Sequence, residues 1–319
     1  MTPDPHSAPL PVEGEWISAR PTRLREVVVR LATLPALVGR HRDLVTTTLK
    51  RDLASRFHGT LLGWAWPVVQ PLFLFAVYYF IFTQLLGQRM PFLPEEQKAG
   101  IGVYMFVGML AWTALGESLA RGVGVIVENG NLIKKLAFPS EILPLNVVLA
   151  SLTTMLFSVL AFVLAALFTP IWPAPGPALA WLPVLVLLQG LFTYGLVLGL
   201  STLQVFLRDT QQIVGMVTTV WMLATPIFWV PEAMAKDSEI AANLGLIALN
   251  PAYHLVRAWR GALMGDVIVP PGDYISGGAA VSSAAVPHHL WVFGLWAVGA
   301  YVLGYGFFVL AQRRFADEV

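Results

Sequence analysis

The chain contains no cysteine among its 319 residues, which excludes disulfide bonds, thiolate metal sites and cysteine nucleophiles. Charge is also scarce, because only 12% of the residues are charged, against roughly 25% in an ordinary soluble domain. Hydrophobic residues make up 56% of the chain instead, and the mean hydropathy is +0.68. Since a water-soluble fold cannot bury this much apolar surface, the composition predicts an integral membrane protein.

Recognisable catalytic motifs are missing as well. No glycine is followed by lysine, so the GxxxxGK[ST] phosphate loop is absent, and neither HExxH nor GxSxG occurs. The six histidines are scattered, and the adjacent pair His288 and His289 has no identifiable further ligands for a metal. The N-terminus, MTPDPHSAPLPVEGEW, is polar and proline-rich, unlike a signal peptide. The sequence predicts a chain that is not an enzyme and holds no metal or cofactor of its own.

Six apolar stretches have about the length that an α-helix needs to cross a bilayer. They cover residues 61–86, 102–127, 142–168, 181–207, 213–230 and 290–311. An even number of spans puts both termini on one side. Fifteen of the 20 lysines and arginines fall on that side, with Arg121 counted in the loop after span two. Because cytoplasmic loops carry such an excess, the sequence predicts an all-α membrane protein with both termini in the cytoplasm.

An amphipathic helix is predicted at residues 42–59, after an N-terminal extension, residues 1–41, that holds a second basic helix. Its apolar residues recur every four positions, at Val45, Leu49, Leu53 and Phe57. Its cations lie on the other faces: Arg42, Lys50, Arg51 and Arg56. This pattern is typical of a helix in the headgroup plane of a membrane. Two interpretations stay open, a simple membrane anchor and a frame around an opening for a lipid-borne substrate.

The stretch NGNLIKKLAFPSEILPLN, residues 129–146, places a basic, half-apolar segment between spans two and three. Leu132, Ile133 and Leu136 share one face of a short predicted helix. Lys134 and Lys135 point away from that face, and Pro139 ends the helix. Ser140 is the predicted N-cap of span three. The pattern fits both an ordinary cytoplasmic loop and a compact, capped amphipathic turn.

The connection 231–289 is long enough to predict a functional region rather than a simple loop. Within it, NPAYHLVRAWRGALMG predicts an amphipathic helix too short to span, with Arg257 and Arg260 away from the apolar side. PEAMAKDSEIAANLGLIAL predicts a second short helix, and PPGDYISGGAAVSSAAVP predicts a turn-rich loop. Two interpretations remain, a gating lid of re-entrant helices and a periplasmic cap without a gating role.

Polar and aromatic residues within the spans are candidates for a transport path. Glu117 and Arg121 are one helical turn apart and can pair, either at the wetted end of span two or along a water-filled path. Gln70 and Gln189 are candidate hydrogen-bonding groups. The aromatic residues fit interfacial belts, and they also fit the apolar faces of sugars. Gly195 and Gly199 form a GxxxG packing signal, within one chain or between chains.

Four segments, in order, carry a family resemblance: RDLASRFHGTLLGWAWPVVQPL, NLIKKLAFPSEILPLNVVLASL, LRDTQQIVGMVTTVWMLATPIFW and NPAYHLVRAWRGALMG. From about residue 42 to residue 312, the chain resembles the membrane permease of bacterial ABC exporters for polysaccharides. That family exports lipopolysaccharide O-antigen, capsular polysaccharide and teichoic acid. The resemblance implies a homodimer in the inner membrane, bound to two ATPase subunits that hold ATP and Mg. It also implies a lipid-linked polysaccharide substrate and surrounding lipids, with no nucleic acid.

The resemblance also assigns roles to particular residues. The segment from Leu132 to Pro139 becomes the coupling helix that contacts the ATPase. The entrance helix carries Arg51, Arg56 and Phe57, and the periplasmic gate carries Tyr253, His254, Arg257, Trp259 and Arg260. The expected path residues are Trp64, Trp66, Gln70, Tyr78, Tyr79, Trp112, Glu117, Arg121, Trp221 and Phe228. Residues 1–40 and 265–287 go beyond what the simplest family pattern needs.

Two alternative functions stay open. An ABC exporter of a small lipid or drug would use a similar scaffold. An ion-coupled secondary transporter needs several ionisable groups near the middle of the membrane, and a single self-paired Glu117 and Arg121 argues against it.

Overall fold

The computed structural model describes residues 24–85, 100–135, 139–168, 172, 176–231, 243–268 and 279–318. Most of them are helical. In chain order the helices are α1 Leu24–Arg40, α2 Arg42–Phe57, α3 Trp66–Tyr78, α4 Gly100–Gly122, α5 Val125–Glu128, α6 Gly130–Lys135, α7 Ile142–Phe168, α8 Leu182–Phe206, α9 Thr210–Ala224, α10 Leu244–Ile247, α11 Pro251–Met264, α12 Val286–Ala311 and α13 Phe315–Glu318. The 3₁₀ turns are Gly63–Ala65, Pro177–Trp181 and Gln312–Arg314, and Tyr79–Leu85 forms a π-helical turn.

Four helices of the described residues are long and apolar enough to cross a membrane. With their terminal turns they cover Gly100–Gly122, Ile142–Phe168, Pro177–Phe206 and Val286–Arg314, and Trp66–Phe82 is a shorter apolar helix. The predicted span 142–168 coincides with α7. Large apolar side chains are exposed on the outer faces of these helices, including Phe168, Leu187 and Leu303. These faces are suited to contact with lipid tails, so the prediction of a multi-pass helical membrane protein is confirmed.

Spans one, two and five differ from the continuous helices predicted for them. The helix of span one, α3, begins at Trp66, because Gly59 and Gly63 adopt positive φ angles and turn the chain before it. The helix of span two ends at Gly122, and α5 follows after a turn. The helix of span five has only 15 residues and ends at Ala224. Pro226 follows two residues later, and a proline disfavours helical geometry in the residue before it.

Helices α8 and α12 pack closely against each other. The Cα of Gly304 lies against the backbone of Gly195, where no side chain fits on either helix. Such contacts between small residues let membrane helices approach closely. The GxxxG signal at Gly195 and Gly199 therefore marks packing within one chain.

The bundle has two ends, which we name after the short helices that lie there. At the α6 end, α1 contacts the end of α12, and α13 contacts α6. At the α11 end, α11 packs on α4, α12 and the 3₁₀ turn Pro177–Trp181. These two ends hold the candidate functional groups.

The region beside α11 contains two strands, which corrects a strictly all-α expectation. Strand β1, Val267–Ile268, pairs antiparallel with β2, Ala279–Val281, where the sequence predicted only a loop. Residues 232–242 of the second predicted short helix lie outside the described part, and α10 is a single turn. Helix α11 itself agrees with the sequence prediction, and the Asn250 side chain caps it by accepting from Ala252 N at 3.0 Å.

Candidate functional site

Four charged side chains from α2 and α4 form a closed ring near the α6 end. Arg56 Nη1 donates to Glu117 Oε1 at 2.6 Å. Arg121 Nη2 donates to Asp52 Oδ1 at 2.7 Å. Within each helix, Arg121 Nη1 lies 3.5 Å from Glu117 Oε1, and Arg56 Nη2 forms an ion pair with Asp52 Oδ2 at 3.2 Å without hydrogen-bond geometry. We call these four residues the charge ring; it is neutral and joins the two helices.

The position of Arg56 corrects the prediction that its charge faces the membrane surface. Only 15% of its side chain is exposed, and Nη1 also reaches Thr154 Oγ1 on α7 at 3.3 Å. A charge that leaves water needs a partner, and Glu117 supplies it. Arg51 keeps the expected exposed position, and the side chain of Phe57 lies outside the described part. The sequence indicated the pair within α4 but not the partners on α2, because 61 residues separate Arg56 from Glu117.

Two cavities that charged and polar side chains line meet at the charge ring. A cavity of about 670 Å³ opens between α2, α4 and α7, and Asp52, Arg121 and Arg51 line it. A cavity of about 520 Å³ lies on the other side, lined by Arg56 and Glu117 together with Gln70, Trp112, Thr113, Gly116 and Thr154. We call them the outer cavity and the inner cavity. Since each is lined by two ring members, the charge ring forms the wall between them.

Asn146 on α7 lines the outer cavity and went unnoticed in the sequence. It is 4% exposed, and both atoms of its side-chain amide are buried without a hydrogen-bond partner among the described residues. Leaving a buried amide unsatisfied costs about 1–3 kcal/mol. The only sequence signal for it was an asparagine near the start of an otherwise apolar helix.

A third cavity, of about 410 Å³, lies between α4 and α9. Small residues of α4, Gly116 and Ala120, face Gln211 and Thr218 of α9 across it. The predicted path included Trp221 of α9 but missed Gln211 and Thr218, which we call the polar strip of α9. Its signal was present in the sequence, because glutamine and threonine interrupt the apolar residues at the start of span five.

The predicted aromatic path residues form two separate clusters. Trp112 and Trp221 pack edge to face with ring centroids 5.5 Å apart, and Trp221 Nε1 donates to Asn250 Oδ1 at 2.8 Å. Tyr78 packs edge to face on Phe228 at 5.9 Å. The other predicted aromatic path residues belong to neither cluster. The Tyr79 hydroxyl accepts a hydrogen bond from Gln84 Nε2 at 3.0 Å, and Trp66 is exposed. The side chain of Trp64 lies outside the described part. Trp112 alone of these aromatic residues lines the inner cavity.

Three of the predicted gate residues, His254, Trp259 and Arg260, are buried inside the protein. Trp259 Nε1 donates to Gln189 Oε1 at 2.8 Å, and Gln189 Nε2 donates to Ala111 O at 2.8 Å. The amide of Gln189 therefore joins α11, α8 and α4, which corrects its interpretation as a path residue. Tyr253 and Arg257 are half-buried, and Arg257 Nη1 donates to Ala280 O of β2.

The buried position of Arg260 contradicts the prediction that it lies opposite the apolar face of α11. Its guanidinium donates to three backbone carbonyls: Tyr104 O at 3.1 Å, Pro226 O at 2.6 Å and Ile227 O at 2.9 Å. Its Cζ also lies 3.3 Å from the centroid of the Tyr104 ring, a cation–π contact. Because Pro226 and Ile227 directly follow α9, this one side chain fixes the end of α9 against α4 and α11.

A histidine pair joins α11 to the first turn of α12. His254 Nε2 lies 2.8 Å from Ala248 O, and the Nδ1 atoms of His254 and His289 are 3.0 Å apart. Burial lowers the pKa of His254, and nearby His288 and Arg257 contribute to the decrease. Because a carbonyl only accepts, a neutral His254 donates through Nε2 and accepts at Nδ1 from His289. No group of three or more potential metal ligands occurs among the described residues.

The predicted coupling residues lie at the α6 end. Leu132 and Ile133 are half-buried in α6, Lys134 is exposed, and Pro139 is half-buried. Leu136 and the side chain of Lys135 lie outside the described part. Ser140 Oγ accepts a hydrogen bond from Gln312 Nε2 at 2.8 Å, so its hydroxyl contacts the end of α12.

Residues 43–264, which include the charge ring, the cavities, α6 and α11, match the ABC-2 type transporter family. The chain belongs to the ABC-2 type transporter family. A protein from Myxococcus xanthus named O-antigen export system permease protein RfbA is 31% identical over 242 residues, which cover 76% of this chain and 88% of that protein. Two Klebsiella pneumoniae proteins of the same name are 25% and 26% identical over 71% of this chain and 82% of their own length.

Family membership establishes several of the expectations drawn from the sequence. The ABC-2 permease is a multi-pass transport subunit and has no catalytic domain, and it works with an ABC ATPase. The predicted resemblance to a permease of ABC exporters is therefore confirmed, as is the prediction that the chain is not an enzyme.

Proposed function

We propose that this chain is the permease of an ATP-driven exporter that carries a lipid-linked, O-antigen-like polysaccharide across the bacterial inner membrane. The observation that carries the proposal is the charge ring between two polar cavities. Charged groups within a membrane bundle are costly and commonly mark a transport path, and here they separate two cavities that charged and polar side chains line. The similar permeases of Myxococcus xanthus and Klebsiella pneumoniae, whose names refer to O-antigen export, support the substrate class.

The proposed topology has six spans with both termini in the cytoplasm. Helix α3 with its π-helical turn forms span one, and α9 with the following buried residues forms span five. The proposed regions are the extension 1–41, the interfacial helix 42–59, the permease domain 60–312 with the periplasmic gate region 231–289, and the tail 313–319. The excess of lysine and arginine at the α6 end supports this orientation.

The proposed assembly is a homodimer with two ATPase subunits that bind ATP and Mg. The α6 end contacts the ATPase through the coupling residues Leu132 to Pro139. The outer cavity, behind the exposed Arg51, receives the headgroup region of the substrate from the cytoplasmic leaflet. The inner cavity and the polar strip of α9 line the path toward α11, with the Trp112–Trp221 and Tyr78–Phe228 clusters beside it.

Reversing the charges of the coupling segment tests the energy source. The double variant Lys134→Glu, Lys135→Glu is expected to lose most of its copurifying ATPase subunit and its export. Two negative charges then stand where the proposed contact with the ATPase needs two positive ones. The measurements are the ATPase recovered with the tagged permease from native lipid and the surface polysaccharide of a deletion strain that expresses the variant. Lys50→Glu, an exposed charge reversal on α2, is the matched control.

The possible outcomes separate the candidate functions. Loss of both ATPase and polysaccharide only in the double variant supports the proposal. Wild-type protein that restores no surface polysaccharide but still binds an ATPase would favour an exporter of a small lipid or drug. Transport that persists without ATP hydrolysis and follows an ion gradient would favour a secondary transporter.

The absence of cysteine permits a direct test of orientation. A single Ala284→Cys at the α11 end should react with a membrane-impermeant maleimide in intact spheroplasts, because residue 284 is exposed and periplasmic in this topology. Arg40→Cys at the α6 end should react only after the membrane is opened. The opposite labelling pattern would show that the orientation is inverted, and the cysteine-free parent measures the background.

A further inference from the structure

Helix α1 lies outside the family match, which begins at residue 43, yet it is joined to the last long helix. Arg30 Nη1 donates to Gln312 Oε1 at 2.8 Å. Tyr301 OH donates to Leu31 O at 3.3 Å, and the Leu31 side chain packs against the core. The helix is therefore docked on the end of α12 through both side-chain and backbone contacts.

The same contacts continue to the residues that connect the coupling segment to α7. Gln312 Nε2 donates to Ser140 Oγ at 2.8 Å, and Arg30 Nη1 lies 3.9 Å from Glu141 Oε1. Ser140 and Glu141 are both buried. Tyr194 OH of α8 donates to Glu141 O at 3.1 Å. Arg30 thus lies within reach of the start of α7 and the end of α12 together.

A second segment beyond the family match contacts α6. Helix α13 packs on α6, and its Phe315 is fully buried edge to face against Phe308 at 5.3 Å. The coupling segment therefore contacts α13 through α6 and leads along the chain to Ser140 and Glu141, the junction beside Arg30. A displacement of α6 is expected to act on both.

The exposure of Arg30 indicates whether its contacts contribute to stability or to the relative position of the helices. Its side chain is 47% exposed, and exposed ion pairs contribute little to stability. A planar guanidinium with partners on two different helices instead restricts where those helices sit relative to each other. The contacts consequently bear on relative position more than on folding.

We propose that α1 is a brace for the coupling segment, with Arg30 as the positioning residue that links movement of α6 to α7 and α12. The proposal rests on the proposed function, in which the ATPase docks at α6. Without Arg30 the ATPase still binds and hydrolyses ATP, but movement at α6 is transmitted less completely to the membrane helices.

The test compares export with ATP hydrolysis in the full complex, purified with its own copurifying ATPase subunit and placed in vesicles of native lipid. Arg30→Ala should retain the ATPase subunit and its hydrolysis rate. The polysaccharide exported per ATP hydrolysed should fall by about 2–30-fold, the range that changes along a coupling route produce. Unchanged export per ATP in a well-folded Arg30→Ala complex would overturn the brace.

Two further variants separate positioning from general damage. Gln312→Ala should reproduce the loss, and the double variant with Arg30→Ala should lose less than the sum of the two single losses, because both remove the Arg30–Gln312 hydrogen bond. Arg40→Ala, an exposed cation at the end of the same helix, should leave the ratio unchanged. An equal fall in Arg40→Ala, or additive losses in the double variant, would contradict a specific role of Arg30.

The proposed function and the brace fail in distinguishable ways. If neither the wild-type complex nor Arg40→Ala exports polysaccharide with ATP, the proposed function is wrong and the brace falls with it. If both export normally and Arg30→Ala matches them, only the brace is wrong. If Arg30→Ala does not accumulate, Gln312→Ala alone carries the same comparison.

Discussion

Replacing Gly304 with alanine is expected to destabilise the protein more than a single methyl group usually does. A Cβ at this position would overlap the carbonyl oxygen of Gly195 on α8. Overpacking normally costs about 1–3 kcal/mol, partly relieved by side-chain movement. Here the obstructing atoms are backbone, which has no rotamer to change, so we expect an effect at the upper end of that range or beyond. The loss of stability is measured as the decrease in melting temperature of the detergent-purified protein, monitored by size-exclusion chromatography.

Gly299→Ala is the matched control for this prediction. Gly299 lies on the same helix, and no atom lies within 4 Å of the Cβ that alanine would add. Alanine favours helix over glycine by about 0.8–1.0 kcal/mol in soluble hosts, so this variant should melt at or above the wild-type temperature. Equal melting of Gly304→Ala and Gly299→Ala would show that α8 and α12 do not approach as closely as described.

Reversing the charge of Arg56 is expected to abolish export. Arg56→Glu would place three carboxylates around Arg121 in the charge ring and would leave Glu117 without its 2.6 Å partner. Like charges in a half-buried site repel and must each be solvated, which opens the wall between the outer and inner cavities. The surface polysaccharide of a complemented deletion strain gives the readout, with membrane abundance and melting measured in parallel.

A charge exchange distinguishes the pair from other roles of Arg56. Arg56→Glu with Glu117→Arg restores opposite charges between α2 and α4, so it should recover a measurable part of the export that Arg56→Glu loses. Lys50→Glu makes the same change on an exposed position of α2 and should export normally. Loss in Lys50→Glu, or no gain in the exchanged variant, would contradict the pairing as the cause.

The sequence predicted best where local chemistry and the membrane act together. Helix α7 has its predicted bounds because a long apolar run in lipid must satisfy its own backbone hydrogen bonds. Helix α11 has its predicted start because Asn250 caps it and Pro251 occupies its first turn. Glu117 and Arg121 pair as their spacing indicates. Each of these features depends on residues that are neighbours along the chain.

The sequence by itself determined the solvent of this protein and most of its helices, since composition and local periodicity carry that information, and the resemblance of four segments indicated its family. Only the tertiary structure decided which groups meet. It turned Arg56 inward to Glu117, buried Arg260 against Pro226 and Ile227, and joined Arg30 to Gln312 across 282 residues. Burial and pairing of a charge depend on partners from distant segments, and helical periodicity holds no information about those partners.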